Sequence, residues 1–111
     1  MSARAAFIAG ALLLCAAPAF ALVGDTSITT GGTAQVLFKS AIPPHGYSVI
    51  NPNLTDDCWI SDSTTAAVNG QGSQRVAANG GEYRTPDNYF PSGPVSIICP
   101  TTADVVTARS W

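Results

Sequence analysis

The sequence predicts an all-β fold, a small antiparallel β-sandwich of six or seven short strands. Three observations carry that reading. Beyond residue 21 the apolar residues show no helical period, and short β-rich runs recur between turn residues instead. Only 11% of residues are charged and 46% are hydrophobic, a composition that packs a core and does not stay disordered. At 111 residues the chain has room for one domain and none for a multi-domain enzyme.

The first segment reads as an address. Arg4 supplies a positive start, Ala5 to Ala17 form an apolar run, and Pro18-Ala19-Phe20-Ala21 ends with small residues at the cleavage-site positions. These are the three parts of a secretory signal peptide over residues 1–21, and the apolar run is shorter than the ~20 residues that cross a bilayer. The expected location is secreted, periplasmic or cell-surface, with no membrane span after cleavage. Lipidation at Cys15 is disfavoured by the bulky Leu14 before it. Cutting after Ala21 leaves a single domain over 22–111 with four basic and seven acidic residues. The full chain's net charge of -2 and pI near 4.9 speak against a nucleic-acid partner, which needs clustered Lys and Arg.

The strand expectations follow in chain order: Thr33–Lys39, Gly46–Asn51, Asp57–Asp62, Gln74–Ala78, Val95–Cys99 and Asp104–Trp111, with Asp25–Thr30 as a weaker edge strand. Gly31-Gly32, Ile42 to Gly46, Asn51-Pro52-Asn53, Asn69 to Gly72 and Asn79-Gly80-Gly81 carry turn chemistry. Residues 85–94 hold three prolines, which withhold ladder donors and keep that stretch out of a sheet.

Cys58 and Cys99 are the pair left after cleavage, and an oxidising compartment makes a disulfide their expected state. Closing a loop of about 40 residues is worth roughly 4 kcal/mol in the chain-entropy model. If the two strands pair antiparallel with 58 opposite 99, Cys58, Ile60, Val95, Ile97 and Cys99 share one face. A bridge crossing between two sheets gives the same inward set. Either way Trp59 and Ile98 point to the other side.

The order Gly-Tyr-Ser-Val-Ile-Asn-Pro, Cys-Trp-Ile-Ser, a polar Gly-rich stretch, Asn79 to Tyr83, Pro94 to Ile97 and a closing Val-Thr-Ala-Arg-Ser-Trp resembles small β-sandwich modules of phage head and tail accessory proteins. It is similar as well to modules of uncharacterised exported bacterial proteins. The likeness spans about residues 33–111, and it implies assembly or surface attachment, not catalysis. The leader and the cysteine pair depart from the phage pattern.

The residues themselves offer little catalytic chemistry. His45, the one histidine, sits in a Pro-Pro-His-Gly turn, and no nucleophile elbow accompanies it. Asp56, Asp57 and Asp62, with Glu82 and Asp87, are acid/base candidates only across a cleft, and their spacing fits turn caps better and matches no calcium loop. Asn53-Leu54-Thr55 fits a glycosylation acceptor. No catalytic residue, cofactor or metal is expected. The expected binding surface comprises Trp59, Tyr83, Arg84, Tyr89 and Phe90, aromatics and a cation on or near a proline-stiffened loop that loses little entropy on binding. The reading is a non-catalytic secreted interaction module with a protein or glycan partner, or one that self-associates through an edge strand within Asp25–Lys39. The alternatives are a carbohydrate-binding module using Trp59, Tyr89 and Phe90, and a small protease inhibitor offering Arg84-Thr85-Pro86.

Overall fold

The computed structural model describes residues 23–25, 27–39, 42–43 and 45–111, so the expected leader lies outside the described residues. Seven strands form: β1 (Gln35–Val36), β2 (Tyr47–Asn51), β3 (Cys58–Ser61), β4 (Gln74–Val76), β5 (Gly81–Arg84), β6 (Ser96–Ile98) and β7 (Thr107–Ser110). They make two antiparallel sheets, one ordered β1-β6-β3-β4 and the other β5-β2-β7. The fold is all-β, as the sequence predicts. Strand β5 is an element the run of turn residues hides. Only Tyr83 is apolar in Gly81–Arg84, and Pro86 closes the run before a pattern can develop. It pairs with β2 through Val49 opposite Tyr83 and Ser48 opposite Arg84.

Period-two alternation decides what each face carries. Tyr47, Val49 and Asn51 of β2 point inward with Ala108 and Ser110 of β7, and Ser48 and Ile50 point out. From the other sheet Cys58, Ile60, Val76 and Ile97 face them. With Ile28, Leu37, Phe38, Val95 and Val106 these residues make one core, all of them at most 2% exposed save Ala108. Asn51 is a polar residue sealed in this layer. Its amide donates to Asp56 O at 2.7 Å and Val76 O at 2.9 Å, so it ties β2 to β4 across the sandwich.

Cys58 and Cys99 are bonded, with Cα atoms 4.4 Å apart. Trp59 pairs with Ile98 and Ile60 with Ile97, so the bridge joins neighbouring strands of one sheet at a directly opposed position. Of the two geometries open to the sequence, the structure takes the in-sheet one. Trp59 and Ile98 share the opposite face, where Trp59 is half-buried and Ile98 is 8% exposed. The loop after β3 folds back over this face, Ala66 N–H donating to Ser96 Oγ at 2.7 Å.

The N-terminal stretch laces the sheets together along one side. Val23 and Ser27 bridge to Arg109 and Val105, Gly24 N–H donates to Ala108 O, and Asp25 N–H donates to Leu37 O. The Gln35 side chain is held by Asp25, Ser27 and Thr29. The outer side of β1, where the sequence suggests an edge open to another copy, therefore faces this chain's own residues. The other side of the sandwich, at β4 and β5, is the open one. There Asn79 and Gly80 turn the chain with φ of 63° and 92°, the conformation for which Asn-Gly is suited.

Candidate functional site

Two constellations form around β2 and β5, one between the sheets and one outside them. Between the sheets, at the β4–β5 opening, all three tyrosines of the chain converge on Asp62, the residue that follows β3. Tyr47 is fully buried by its inward place on β2, and a buried phenol needs a partner for its hydroxyl. Its hydroxyl donates to Asp62 Oδ2 at 2.9 Å, and the Tyr89 hydroxyl donates to the same oxygen at 2.8 Å. The Tyr47 ring packs against Tyr83 and Tyr89 with centroids 6.0 and 6.4 Å apart. Burial, then the Asp62 charge, pushes the Tyr47 phenol far above its ordinary value. The hydrogen bond to Asp62, with burial behind it, pushes Tyr89 up to about 12, and Tyr83 is raised by burial and then by Asp62. The tyrosines and Asp62 enclose, with Gly72 and Gln74, a cavity of about 140 Å³.

Outside, the exposed face of the three-stranded sheet carries a cross-strand row. Ser48 lies opposite Arg84 on one side and Arg109 on the other. The Arg84 guanidinium stands 4.2 Å over the Trp111 ring and 3.7 Å from Asp87 Oδ1. Among the described residues Arg109 has no carboxylate partner. Two adjoining clefts of about 300 and 320 Å³ share Arg84 and Arg109; one runs over Ser48, Ile50, Glu82 and Thr107 and the other over Trp111 and Asp87. Trp111 is positioned by its backbone, which exchanges hydrogen bonds with Gly46 O and His45 N–H. Its indole N–H is buried without a hydrogen-bond partner. Gly46 allows this fit: its φ is +125°, and a Cβ there would stand 2.7 Å from Thr85 Oγ1 and 2.9 Å from the indole nitrogen.

The five residues expected to form one surface are divided among several. Tyr83 and Tyr89 belong to the Asp62 cluster, and Arg84 belongs to the outer row. Trp59 lies on the far face of the other sheet, and Phe90, 69% exposed, packs edge-on against His45 at 5.8 Å. Trp59, Tyr89 and Phe90 therefore share no platform. The Arg84–Thr85 bond is not on a free loop: Thr85 is 2% exposed, its N–H donates to Tyr47 O and its Oγ1 accepts Tyr47 N–H.

The carboxylates separate as well. Asp57 caps Ala78 N–H and stands 3.7 Å from Arg75, whereas burial and then a hydrogen bond with Asp56 raise Asp104 above the usual carboxylate range. The half-buried Asn53 has its amide engaged, donating to Asn51 Oδ1 and Val105 O, so it is not a free glycosylation acceptor in the folded chain. Among the described residues no group of three or more His, Cys, Asp and Glu stands ready for a metal, and no helix is long and apolar enough to cross a membrane. Sequence reading missed Tyr47, Ser48 and Arg109 as site residues, and it weighed Asp62 only as an acid/base carboxylate set aside as a turn cap. The one available signal was the alternation of Tyr47-Ser48-Val49, which sends Tyr47 inward and Ser48 outward. The chain matches no protein-family model, no curated protein and no solved structure.

Proposed function

We propose that this chain is a non-catalytic, exported interaction module that presents the outer face of its three-stranded sheet to an acidic partner. The observation that carries the reading is the Arg84–Ser48–Arg109 row, which gathers two of the four cations of residues 22–111 beside Trp111. Arg84 is pre-positioned by the indole ring, and Arg109 is left to pair outward. Export is supported by the Cys58–Cys99 bond, which persists in oxidising compartments. The resemblance to phage accessory modules implies attachment as well, in keeping with this reading. The glycan-platform and inhibitor-loop readings lack a shared aromatic surface and a free loop, and neither is carried further.

The test is retention of the purified protein on immobilised polyglutamate and polygalacturonate, two acidic probes. Wild type is expected to bind one of them in a salt-sensitive manner, and Arg84→Ala/Arg109→Ala to bind at least roughly tenfold more weakly. Absence of binding to both, or equal binding by the double variant, refutes the proposal.

A further inference from the structure

The Asp62 cavity lies on the opposite side of β5 from the arginine row and has the opposite chemistry. Asp62 Oδ2 accepts two phenol protons, so the Tyr47 and Tyr89 oxygens turn only lone pairs toward anything else in the cavity. Gln74 adds an amide, and the carboxylate adds acceptors alone. Among the described residues no lysine or arginine pairs with Asp62. Lys39 is held by Asp25, Arg75 by Asp57 and Arg84 by Asp87, and Arg109 lies on the outer face. A half-buried carboxylate that lacks a cation, beside two phenol oxygens with only lone pairs left to offer, is complementary to a small cationic donor.

Geometry narrows the donor. A guanidinium grips both oxygens of a carboxylate with its planar fork, and one oxygen of Asp62 is already occupied by two hydroxyls. A calcium ion needs six or more oxygens, several of them charged, and here there is one carboxylate. A quaternary ammonium has no N–H to donate and seeks ring faces, whereas this cavity offers hydroxyl, carboxylate and amide groups. A primary ammonium has three rotatable N–H donors and suits the set. The volume of about 140 Å³ holds four or five waters at ~30 Å³ each, space for an ammonium on a narrow aliphatic stem. Gly72 and Gln74 line the cavity and are both exposed.

We infer that this cavity is a receptor pocket for a lysine side chain of a partner protein, the ammonium seated on Asp62 between Tyr83 and Tyr89. The pocket stands apart from the arginine row and does not rest on it. The experiment titrates the full chain with Nα-acetyl-lysine methylamide and follows the tyrosine ring resonances. The norleucine analogue (isosteric at the stem but without the ammonium) and glucosamine serve as the other probes. Saturable shifts confined to the tyrosines are expected with the lysine probe alone. Asp62→Asn keeps the side-chain volume and removes the charge, and is expected to weaken binding at least roughly tenfold. Tyr83→Phe, which leaves both hydrogen bonds to Asp62 in place, gives a second variant and is expected to weaken binding severalfold. Arg84→Ala/Arg109→Ala is expected to bind the lysine probe as wild type does. Equal response to the norleucine analogue, an equal or stronger response to glucosamine, or undiminished binding by folded Asp62→Asn and Tyr83→Phe overturns the assignment.

Discussion

Opening the Cys58–Cys99 bond is the perturbation whose size the structure fixes best. Both sulfurs belong to residues with 0% exposure, and the strands they join are already hydrogen-bonded neighbours. Reduction therefore removes little from the native state: Trp59 still pairs with Ile98, and the two thiols need only part to van der Waals contact. The effect falls on the unfolded chain, which regains the freedom of a loop spanning a sequence separation of 41. For a loop of that length the chain-entropy relation gives about 13 cal/mol/K, or about 4 kcal/mol at room temperature. A domain of about 90 residues unfolds with an entropy near 0.19 kcal/mol/K, so the midpoint of thermal unfolding is expected to fall by about 20 °C. The assay is calorimetry of oxidised and reduced protein at matched pH, with Cys58→Ala/Cys99→Ala alongside. The double variant is expected to fall further, because it deletes buried sulfur as well as the cross-link. A reduced protein melting within about 5 °C of the oxidised one, equivalent to about 1 kcal/mol, refutes the reasoning.

Other parts of the fold give sharper local tests. Asn51→Ala removes an amide that joins Asp56 O, Val76 O and Asn53 within a sealed layer, and is expected to cost about 2–4 kcal/mol in urea unfolding. Thr85→Val keeps the shape but leaves the buried Tyr47 N–H without its acceptor, an expected loss of about 1–3 kcal/mol. Alkaline pH probes the tyrosines. The fold holds the Tyr47 phenol neutral above its ordinary value of 10.0, whereas the unfolded chain releases that proton near it. The unfolded state then binds fewer protons, so stability is intact below about pH 10 and falls above it by about 1.4 kcal/mol per pH unit from Tyr47. Urea midpoints measured on either side of that pH check the slope, and Tyr47→Phe is expected to flatten it.

Local signals made much of the fold legible. The β-rich runs Gly46–Asn51 and Asp57–Asp62 gave two strands, the cysteine pair gave the inward set of Cys58, Ile60 and Ile97, and Trp59 opposite Ile98 is one of the two geometries that pair left open. Strand β5 escaped because its four residues include one apolar side chain, and its place beside β2 comes from tertiary pairing. The sites escaped for a related reason. Arg84 and Arg109 are neighbours only because β2 lies between β5 and β7, an order that sequence periodicity does not contain. Asp62 reads locally as a strand-end carboxylate. Its character comes from two hydroxyls donated from positions 15 and 27 residues away.

The lacing of Val23 against Arg109 has a practical corollary together with the seat of Trp111 beside Arg84. Residues opposed across a ladder share a face, and Trp111 follows the inward-facing Ser110, so Val23 and Trp111 lie on the same flank of the sandwich. A purification handle or fused carrier joined directly before Val23 or after Trp111 is tethered within reach of the arginine row and competes with whatever docks there. A surface-anchored copy held by one end has its attachment point beside that flank, and linker length then governs how much of the row stays accessible.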